Sequence, residues 1–319
     1  MSEFQHPATP TMFSMVVTPM DERGRIDEAG MRAHLRRQID AGVGVYLGSG
    51  GSGEGHALSI DELALLYRIG VDECKGKVPV YCNPPESRSA NEMLDKSRQA
   101  IDAGADLVQF YQLDAGHGRV PVLAEQEMYF RDLLEAIDHP VGISIHLAVG
   151  YLAPCSLVTK LCLDYTHIKL VNIPFGPTMN YLVELKDTIP DTIKIYVGMH
   201  NVLSGLMMGA WGAQVTETNQ IPHLCQAIAD EFVAGDIARA AATYANVLRV
   251  TDVIDMGRRV SADGPKAALK ALGFDVGPPR HPRVPVDEAT IEKMRTAFAR
   301  LGTLELEAEA AARRSSRRG

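Results

Sequence analysis

The sequence has no long hydrophobic run and no marker of export. Nowhere in its 319 residues does an apolar stretch reach the roughly 18 residues that a membrane helix needs. The polar start, residues 1–6, lacks the pattern of a signal peptide. We therefore expect a soluble, cytoplasmic protein that works away from the membrane.

Cysteine pairs and metal-binding patterns are also missing. The five cysteines show no CxxC spacing, which argues against a disulfide framework and against a zinc site. There is no HxxxH, no HxH and no cluster of carboxylates, so we expect no metal. We predict buried thiols at Cys74, Cys82, Cys155, Cys162 and Cys225.

Acidic residues outnumber basic ones, 40 to 32. The formal net charge is -8 at pH 7, and the only basic run is at 313–318. This balance provides no general attraction to nucleic acid. We expect no nucleic-acid partner.

What the sequence does contain is a regular alternation of short strand-like runs with amphipathic helical segments. Such a rhythm is typical of a (β/α)₈ barrel. An open, doubly wound sheet is the competing fold, but no GxGxxG turn follows the first strand. The predicted strands lie at 13–18, 43–47, 78–83, 107–111, 141–146, 167–171, 193–198 and 213–216.

The strands stop near residue 221, and helical segments follow. No linker long enough to separate a second unit is visible. We expect the barrel at 1–233 and a C-terminal helical region, packed on it, at 234–319. The predicted helices are 222–234, 236–256, 264–273 and 287–301.

Lys169, in the strand predicted at 167–171, is the first candidate for chemistry. Alternation puts His167, Lys169 and Val171 on one face, and barrel enzymes place their sites at the exits of the strands. A lysine held there would be partly desolvated, which lowers its pKa and frees the amine to attack a carbonyl. In the competing interpretation the ammonium reaches solvent past the strand end, as we expect for Lys194.

The glycine-rich turn at 48–56 is the second candidate. Glycines let the backbone approach a ligand, and successive N–H groups can bind an anion such as a carboxylate. Ser49 or Ser52 would add a hydroxyl. Alternatively it is a flexible surface loop, because the glycines do not follow the order of a phosphate loop.

Polar residues near the ends of three other strands complete the set. Ser144 and His146 alternate onto one face of the fifth strand, which we expect to face the lumen. His146 could move protons near neutral pH. Tyr111 and Gln214 could hydrogen-bond a substrate or complete the packed interior.

With these residues the chain resembles the dihydrodipicolinate synthase and N-acetylneuraminate lyase family of Schiff-base aldolases, from about residue 12 to 301. The resemblance depends on the order and spacing of short motifs. They are Val17-Thr18-Pro19-Met20, Gly50-Gly51-Ser52-Gly53-Glu54, Ala103-Gly104-Ala105-Asp106, Ile168-Lys169, Gly209-Ala210-Trp211-Gly212 with Asn219 and Pro222, and residues 266–273.

The resemblance implies that Lys169 forms an imine with pyruvate or another 2-oxo acid, without an external cofactor. Gly51 and Ser52 would receive the carboxylate, and Gly198 would shape the pocket floor. It also implies a homo-oligomer, a tetramer or a dimer.

Two departures from the family bear on function. Ser144 stands where the family has its proton-relay tyrosine, and the arginine that dihydrodipicolinate synthases carry a few residues later is missing from 147–151. We therefore expect no role in lysine biosynthesis and predict His146 as the substitute acid or base, with Tyr151 or Tyr111 as second choices.

The leading hypothesis is a Schiff-base lyase or aldolase that makes or breaks a carbon–carbon bond of a 2-oxo acid. One alternative is a dehydratase that acts on a 2-oxo sugar acid through the same imine. The other is a non-catalytic barrel that binds a 2-oxo acid.

Overall fold

A computed structural model describes residues 4–257 and 262–318 of the chain. Within them, eight parallel strands close into a barrel in sequence order, with the last strand beside the first. The predicted (β/α)₈ barrel is confirmed. The strands are β1 Thr11–Met15, β2 Gly44–Leu47, β3 Val80–Cys82, β4 Leu107–Tyr111, β5 Val141–His146, β6 Ile168–Phe175, β7 Lys194–Val197 and β8 Gly212–Val215.

β6 differs most from its prediction. It continues to Phe175, beyond the predicted end at 171, and its pairing with β5 is irregular at the start. Val141 pairs with Ile168, but the next residue, Gly142, pairs with Leu170. Ile168 therefore packs outward among the helices, whereas Leu170 points into the lumen.

Aromatic rings fill the lower lumen. In a barrel of this kind, alternate strands contribute the side chains of each layer. The strand register puts Phe13, Tyr81 and Tyr196 at one level with Gly142. The centroid of the Phe13 ring lies 4.5 Å from that of the Tyr81 ring and 5.4 Å from that of the Tyr196 ring. This packing closes the lumen below the candidate site.

The helices of the barrel begin and end at residues suited to those positions. Ser59 and Glu62 form a reciprocal capping box at the start of the second helix. Gly42 and Gly104 end the first and third helices in the left-handed conformation. The helices are α1 Glu28–Ala41, α2 Ile60–Cys74, α3 Ala90–Ala103, α4 Leu123–Ala136, α5 Cys155–Asp164, α6 Met179–Thr188, α7 Val202–Met207 and α8 Pro222–Val233.

Further helices follow the barrel: α9 Ile237–Asp255, α10 Asp263–Ala271, α11 Glu288–Leu301 and α12 Thr303–Arg318. Both α9 and α12 pack against α8, and α11 packs against α9 and α10. The division of the chain into two domains at 233/234 stays a prediction.

In the described ranges, no helix has the length and apolar character that crossing a membrane requires. All five cysteines are buried and unpaired. The prediction of buried thiols is confirmed.

A buried ion pair ties the C-terminal helices to the glycine-rich turn. Glu54 is fully buried, and its Oε2 lies 2.5 Å from Lys266 Nζ of α10. Its Oε1 accepts the Arg280 backbone N–H at 2.7 Å. Burial lowers the pKa of Lys266, and the attraction of Glu54 only partly offsets this effect. Because Glu54 has a φ of 57°, unusual for a residue with a side chain, these contacts also hold the turn in a strained conformation.

We expect Lys266→Ala to lower the free energy of unfolding by about 3 kcal/mol, because it removes the nearer cation from the buried Glu54 carboxylate and leaves Arg283, 3.5 Å from Oε1, as its charged neighbour. The control is Lys270→Ala on the same helix, which removes an exposed pair with Glu288 and should cost less than about 1 kcal/mol. Urea unfolding of both variants measures the difference. Equal losses would contradict a special role for the buried pair.

Candidate active site

A layer of four polar side chains crosses the lumen directly above the aromatic rings. The strand register puts Tyr46, Gln109, Asn172 and Gln214 at one level. The Tyr46 hydroxyl and Gln214 Nε2 both donate to Gln109 Oε1, at 2.7 and 3.0 Å, and Asn172 Nδ2 donates to Gln214 Oε1. All four are buried. We call them the amide layer; it carries no formal charge.

Some polar atoms in and above the amide layer remain available. Among the described residues, Gln109 Nε2, Asn172 Oδ1 and Asn83 Oδ1 are buried without a hydrogen-bond partner. Leaving such groups unpaired costs free energy. They could therefore bind a polar ligand that enters the lumen.

The level above the amide layer is lined by small residues on two strands. The Oγ of Ser144, on β5, accepts a hydrogen bond from Asn172 Nδ2 at 3.3 Å. Gly198, after β7, lies so close to the carbonyl oxygen of Pro174 that a Cβ would collide with it. Met15 and Asn83 complete this level by the strand register. Since serine and glycine fill little volume, the lumen can widen toward the C-terminal mouth.

Lys169 lies at the opposite end of the barrel. It is the second residue of β6, and its Nζ donates to the Thr166 carbonyl at 2.8 Å in an exposed position. Lys194 of β7 likewise donates to a preceding carbonyl, that of Asp191 at 2.9 Å. The prediction that Lys169 faces the pocket at the exit of its strand is wrong, because the strand begins here and continues to Phe175.

No other lysine takes its place. All ten lysines of the chain fall within the described residues, and none has its ammonium in the lumen. Nine bond to groups of the helices, loops or strand entrances, and Lys293 is exposed on α11. The nine are Lys75, Lys77, Lys96, Lys160, Lys169, Lys186, Lys194, Lys266 and Lys270.

The glycine-rich turn lies at the mouth. Gly51 is half-buried and Ser52 is buried, and Ser52 Oγ is 3.4 Å from Thr216 Oγ1 at the end of β8. Ser49 is occupied within the turn, where its Oγ accepts the Gly53 N–H at 3.2 Å. Of the two serines, Ser52 is thus the one beside the lumen.

His146 ends β5 close to Tyr111 of β4, with ring centroids 4.5 Å apart. Its Nδ1 accepts the Ala148 N–H at 3.2 Å, and its Nε2 lies 3.3 Å from Glu86 Oε1. Burial lowers the pKa of His146, and the nearby Glu86 only partly offsets this effect. The imidazole is therefore neutral near pH 7, with both nitrogens facing protein groups.

The structure thus brings most of the predicted site residues to one end of the lumen and leaves Lys169 at the other. Those at the C-terminal end are Gly51, Ser52, Tyr111, Ser144, His146, Gly198 and Gln214. Their roles as catalytic or binding residues stay predictions.

Sequence reasoning missed Asn172, His56 and Glu86. Asn172 is the one polar residue in the middle of β6. A predicted strand that continued beyond residue 171 would have had Asn172 near its centre. Glu86 and His56 follow β3 and β2, where the rule that barrel sites lie at strand exits would have drawn attention to them.

Comparisons with known proteins agree with this fold. The profile described as Dihydrodipicolinate synthetase family matches residues 9–300. A 4-hydroxy-tetrahydrodipicolinate synthase from Methanopyrus kandleri is 27% identical over 91% of this chain and 95% of its own length. An N-acetylneuraminate lyase from Clostridium perfringens is 26% identical over 88% and 96%.

Solved structures show the same architecture. A dihydrodipicolinate synthase from Bacillus anthracis superposes with a TM-score of 0.83 at 24% identity, over 94% of this chain and 99% of that one. A prophage protein of the same family from E. coli K12, solved with pyruvate, gives 0.83 at 21% identity over 93% and 99%. At these identities the likeness concerns the fold.

We expect Asn172→Leu to lower the free energy of unfolding by about 1–3 kcal/mol, because Gln214 and Ser144 each lose a buried hydrogen-bond partner. Lys169→Met, on the same strand but half-buried at the barrel entrance, should change it by no more than about 0.5 kcal/mol, because its Nζ bonds only to an exposed backbone carbonyl. Urea unfolding distinguishes the two. A larger loss for Lys169→Met would contradict the placement of these residues.

Proposed function

Because the chain belongs to the dihydrodipicolinate synthetase family, we propose that it is a carbon–carbon lyase that binds a small 2-oxo acid at the barrel mouth and activates it without an imine. Relatives are named as synthases and lyases, so the predicted family and enzyme class are confirmed. Members of the family hold pyruvate-type substrates on a lysine, with no external cofactor. This chain's own residues support a different way of holding the substrate.

One observation carries the proposal: Asn172, and not a lysine, occupies the lumen beside Ser144. Ser144 and Asn172 are direct partners across β5 and β6. An amine at this position would be able to share a substrate with Ser144 and the glycine-rich turn. A carboxamide cannot form an imine, so the covalent step is unsupported here.

The mouth retains what a 2-oxo acid needs for non-covalent binding. The backbone of Gly51 and the hydroxyl of Ser52 are suited to a carboxylate. The substrate's carbonyl oxygen would accept a hydrogen bond from the amide layer, where Gln109 Nε2 is an unpaired donor. Tyr111 and Gly198 would line the remaining space.

Such donors could also support chemistry. When a base removes a proton from C3 of a 2-oxo acid, negative charge develops on the C2 oxygen as an enolate. Preorganised N–H donors in a water-poor site stabilise that charge. The enolate carbon can then add to an aldehyde, and the reverse sequence breaks the same carbon–carbon bond.

The presence of Asn172 in place of a lysine also favours a second candidate, a barrel that binds a 2-oxo acid without turnover.

The charge distribution at the mouth, however, argues for catalysis. Glu86 keeps only 10% of its side chain exposed, and burying a carboxylate is costly unless other groups compensate. Such a group in a cleft is typical of a working site. The dehydratase hypothesis needs the imine and loses support with it.

The test is borohydride reduction with pyruvate, followed by intact mass and peptide mapping. We expect the unaltered protein to gain no adduct, while pyruvate still raises its melting temperature by binding to the folded state. Asn172→Lys should gain a reduced adduct at position 172, because a desolvated amine there is a competent nucleophile.

Lys169→Met is the matched control and should leave pyruvate binding unchanged. An adduct on Lys169 in the unaltered protein would overturn the proposal. An absence of any thermal shift with pyruvate and its 2-oxo homologues would overturn 2-oxo acid binding itself.

A further inference from the structure

A cluster of three ionisable side chains lies at the rim of the mouth. Glu86, in the loop after β3, contacts two histidines: His56 Nε2 lies 2.8 Å from Glu86 Oε2, and His146 Nε2 lies 3.3 Å from Oε1. His56 belongs to a short 3₁₀ turn after β2. We call these three residues the rim cluster.

The carboxylate of the rim cluster is ionised and its buried histidine is neutral. Burial on its own raises the pKa of Glu86, but the hydrogen bond from His56 and the electrostatic influence of the two neighbouring imidazoles outweigh it and bring the pKa below its usual value. Because His146 Nδ1 accepts the Ala148 N–H, its proton sits on Nε2 and faces Glu86. Nε2 makes no hydrogen bond at this distance, and because the lone pair of Nδ1 is occupied, His146 has no free lone pair to accept a proton from a substrate.

His56 differs from His146 in having a nitrogen to spare. Its Nε2 donates to Glu86, which leaves Nδ1 free to accept a proton, and 47% of the side chain is exposed. A carboxylate that fixes the tautomer and orientation of an imidazole is the arrangement used for general bases. We propose that His56 is the catalytic base that moves the C3 proton of the 2-oxo acid, with Glu86 as its positioning residue.

The position of the pair relative to the glycine-rich turn supports this role. His56 and Glu86 pack directly on the backbone of Gly50, where a Cβ would stand 2.7 Å from His56 Nε2 and would also collide with Glu86 Oε2. Gly50 immediately precedes Gly51 and Ser52, the proposed carboxylate site. In a small 2-oxo acid, C3 is two bonds from the carboxylate carbon, so a base beside this turn is near the carbon that must lose its proton.

The step balances as a proton transfer. His56 Nδ1 takes a proton from C3, the C3–H electron pair becomes the C2–C3 double bond, and the carbonyl electron pair moves onto the C2 oxygen. Return of the proton restores the acid. If an aldehyde is present, C3 bonds to the aldehyde carbon instead, and His56 gives its proton to the aldehyde oxygen.

The inference rests on the proposed function, and measuring proton exchange and pyruvate binding separately distinguishes a failure of one from a failure of the other. Groups that face Glu86 come from four elements: His56 from the 3₁₀ turn, Tyr111 from β4, Tyr129 from α4 and His146 from β5. Burial, and then the charge of Glu86, raise the pKa of Tyr111, and burial also raises that of Tyr129. Both tyrosines stay neutral. Among the described residues, no group of His, Cys, Asp or Glu, the rim cluster included, is arranged to hold a metal.

The experiment measures exchange of the pyruvate methyl protons for deuterium in D₂O by NMR, with pyruvate binding followed by thermal shift. We expect the exchange rate to fall as pH is lowered, since a protonated imidazole cannot accept a proton. His56→Gln should slow exchange by about 100-fold and leave the thermal shift in place. Glu86→Gln should slow the exchange by less than His56→Gln does. It should also move the midpoint of the pH dependence of exchange to lower pH, because the protonated imidazole of His56 loses the carboxylate that stabilises its charge.

His117→Gln, at an exposed position in the loop after β4, is the matched control and should exchange like the unaltered protein. Exchange that survives in His56→Gln would overturn the assignment. So would pyruvate binding without any catalysed exchange in the unaltered protein. Loss of pyruvate binding itself would instead count against the proposed function.

Discussion

The hydrogen-bonded amide layer is the constraint on which the candidate site depends. It is a chain of neutral groups from four alternate strands, and each member fixes the orientation of the next. The hydrogen bonds of a buried network are interdependent, so the loss of one member weakens the bonds of the others. A lysine introduced at position 172 would meet Gln214 and Ser144 and no counter-ion, so the layer excludes an ammonium and admits the side chain only as the neutral amine.

This exclusion changes how the lumen can treat a substrate. A lysine offers a covalent bond that withdraws electrons, whereas an amide layer offers only oriented N–H groups. Stabilising an enolate in this way demands a base that is held accurately and a site with little water. The aromatic rings below the amide layer close one end of the lumen, and the rim cluster supplies ionisable groups at the other.

The sequence predicted the fold well because the barrel rhythm is repeated over many short segments, and an error in one does not disturb the rest. Alternation and position at strand ends predicted the location of Ser144, His146 and Gln214 at the lumen, and the glycine-rich turn after β2 predicted that of Ser52. The prediction that Lys169 lies at the exit of its strand was wrong for a physical reason. The register shift at the start of β6 depends on pairing with β5, and pairing cannot be read from one strand alone. The contact between His56 and Glu86 joins two loops that are distant in sequence, which no local pattern predicts.

The buried pair of Glu54 and Lys266 has a consequence for how the protein is divided. The strands, the lumen and the glycine-rich turn all precede α9, so the barrel looks sufficient for ligand binding by itself. Yet the turn ends in a carboxylate whose counter-ion is on α10. A chain cut after α8 would keep every proposed substrate contact and lose the group that neutralises the turn. In this sense the C-terminal helices are part of the anion site, and the unit of function is longer than the barrel.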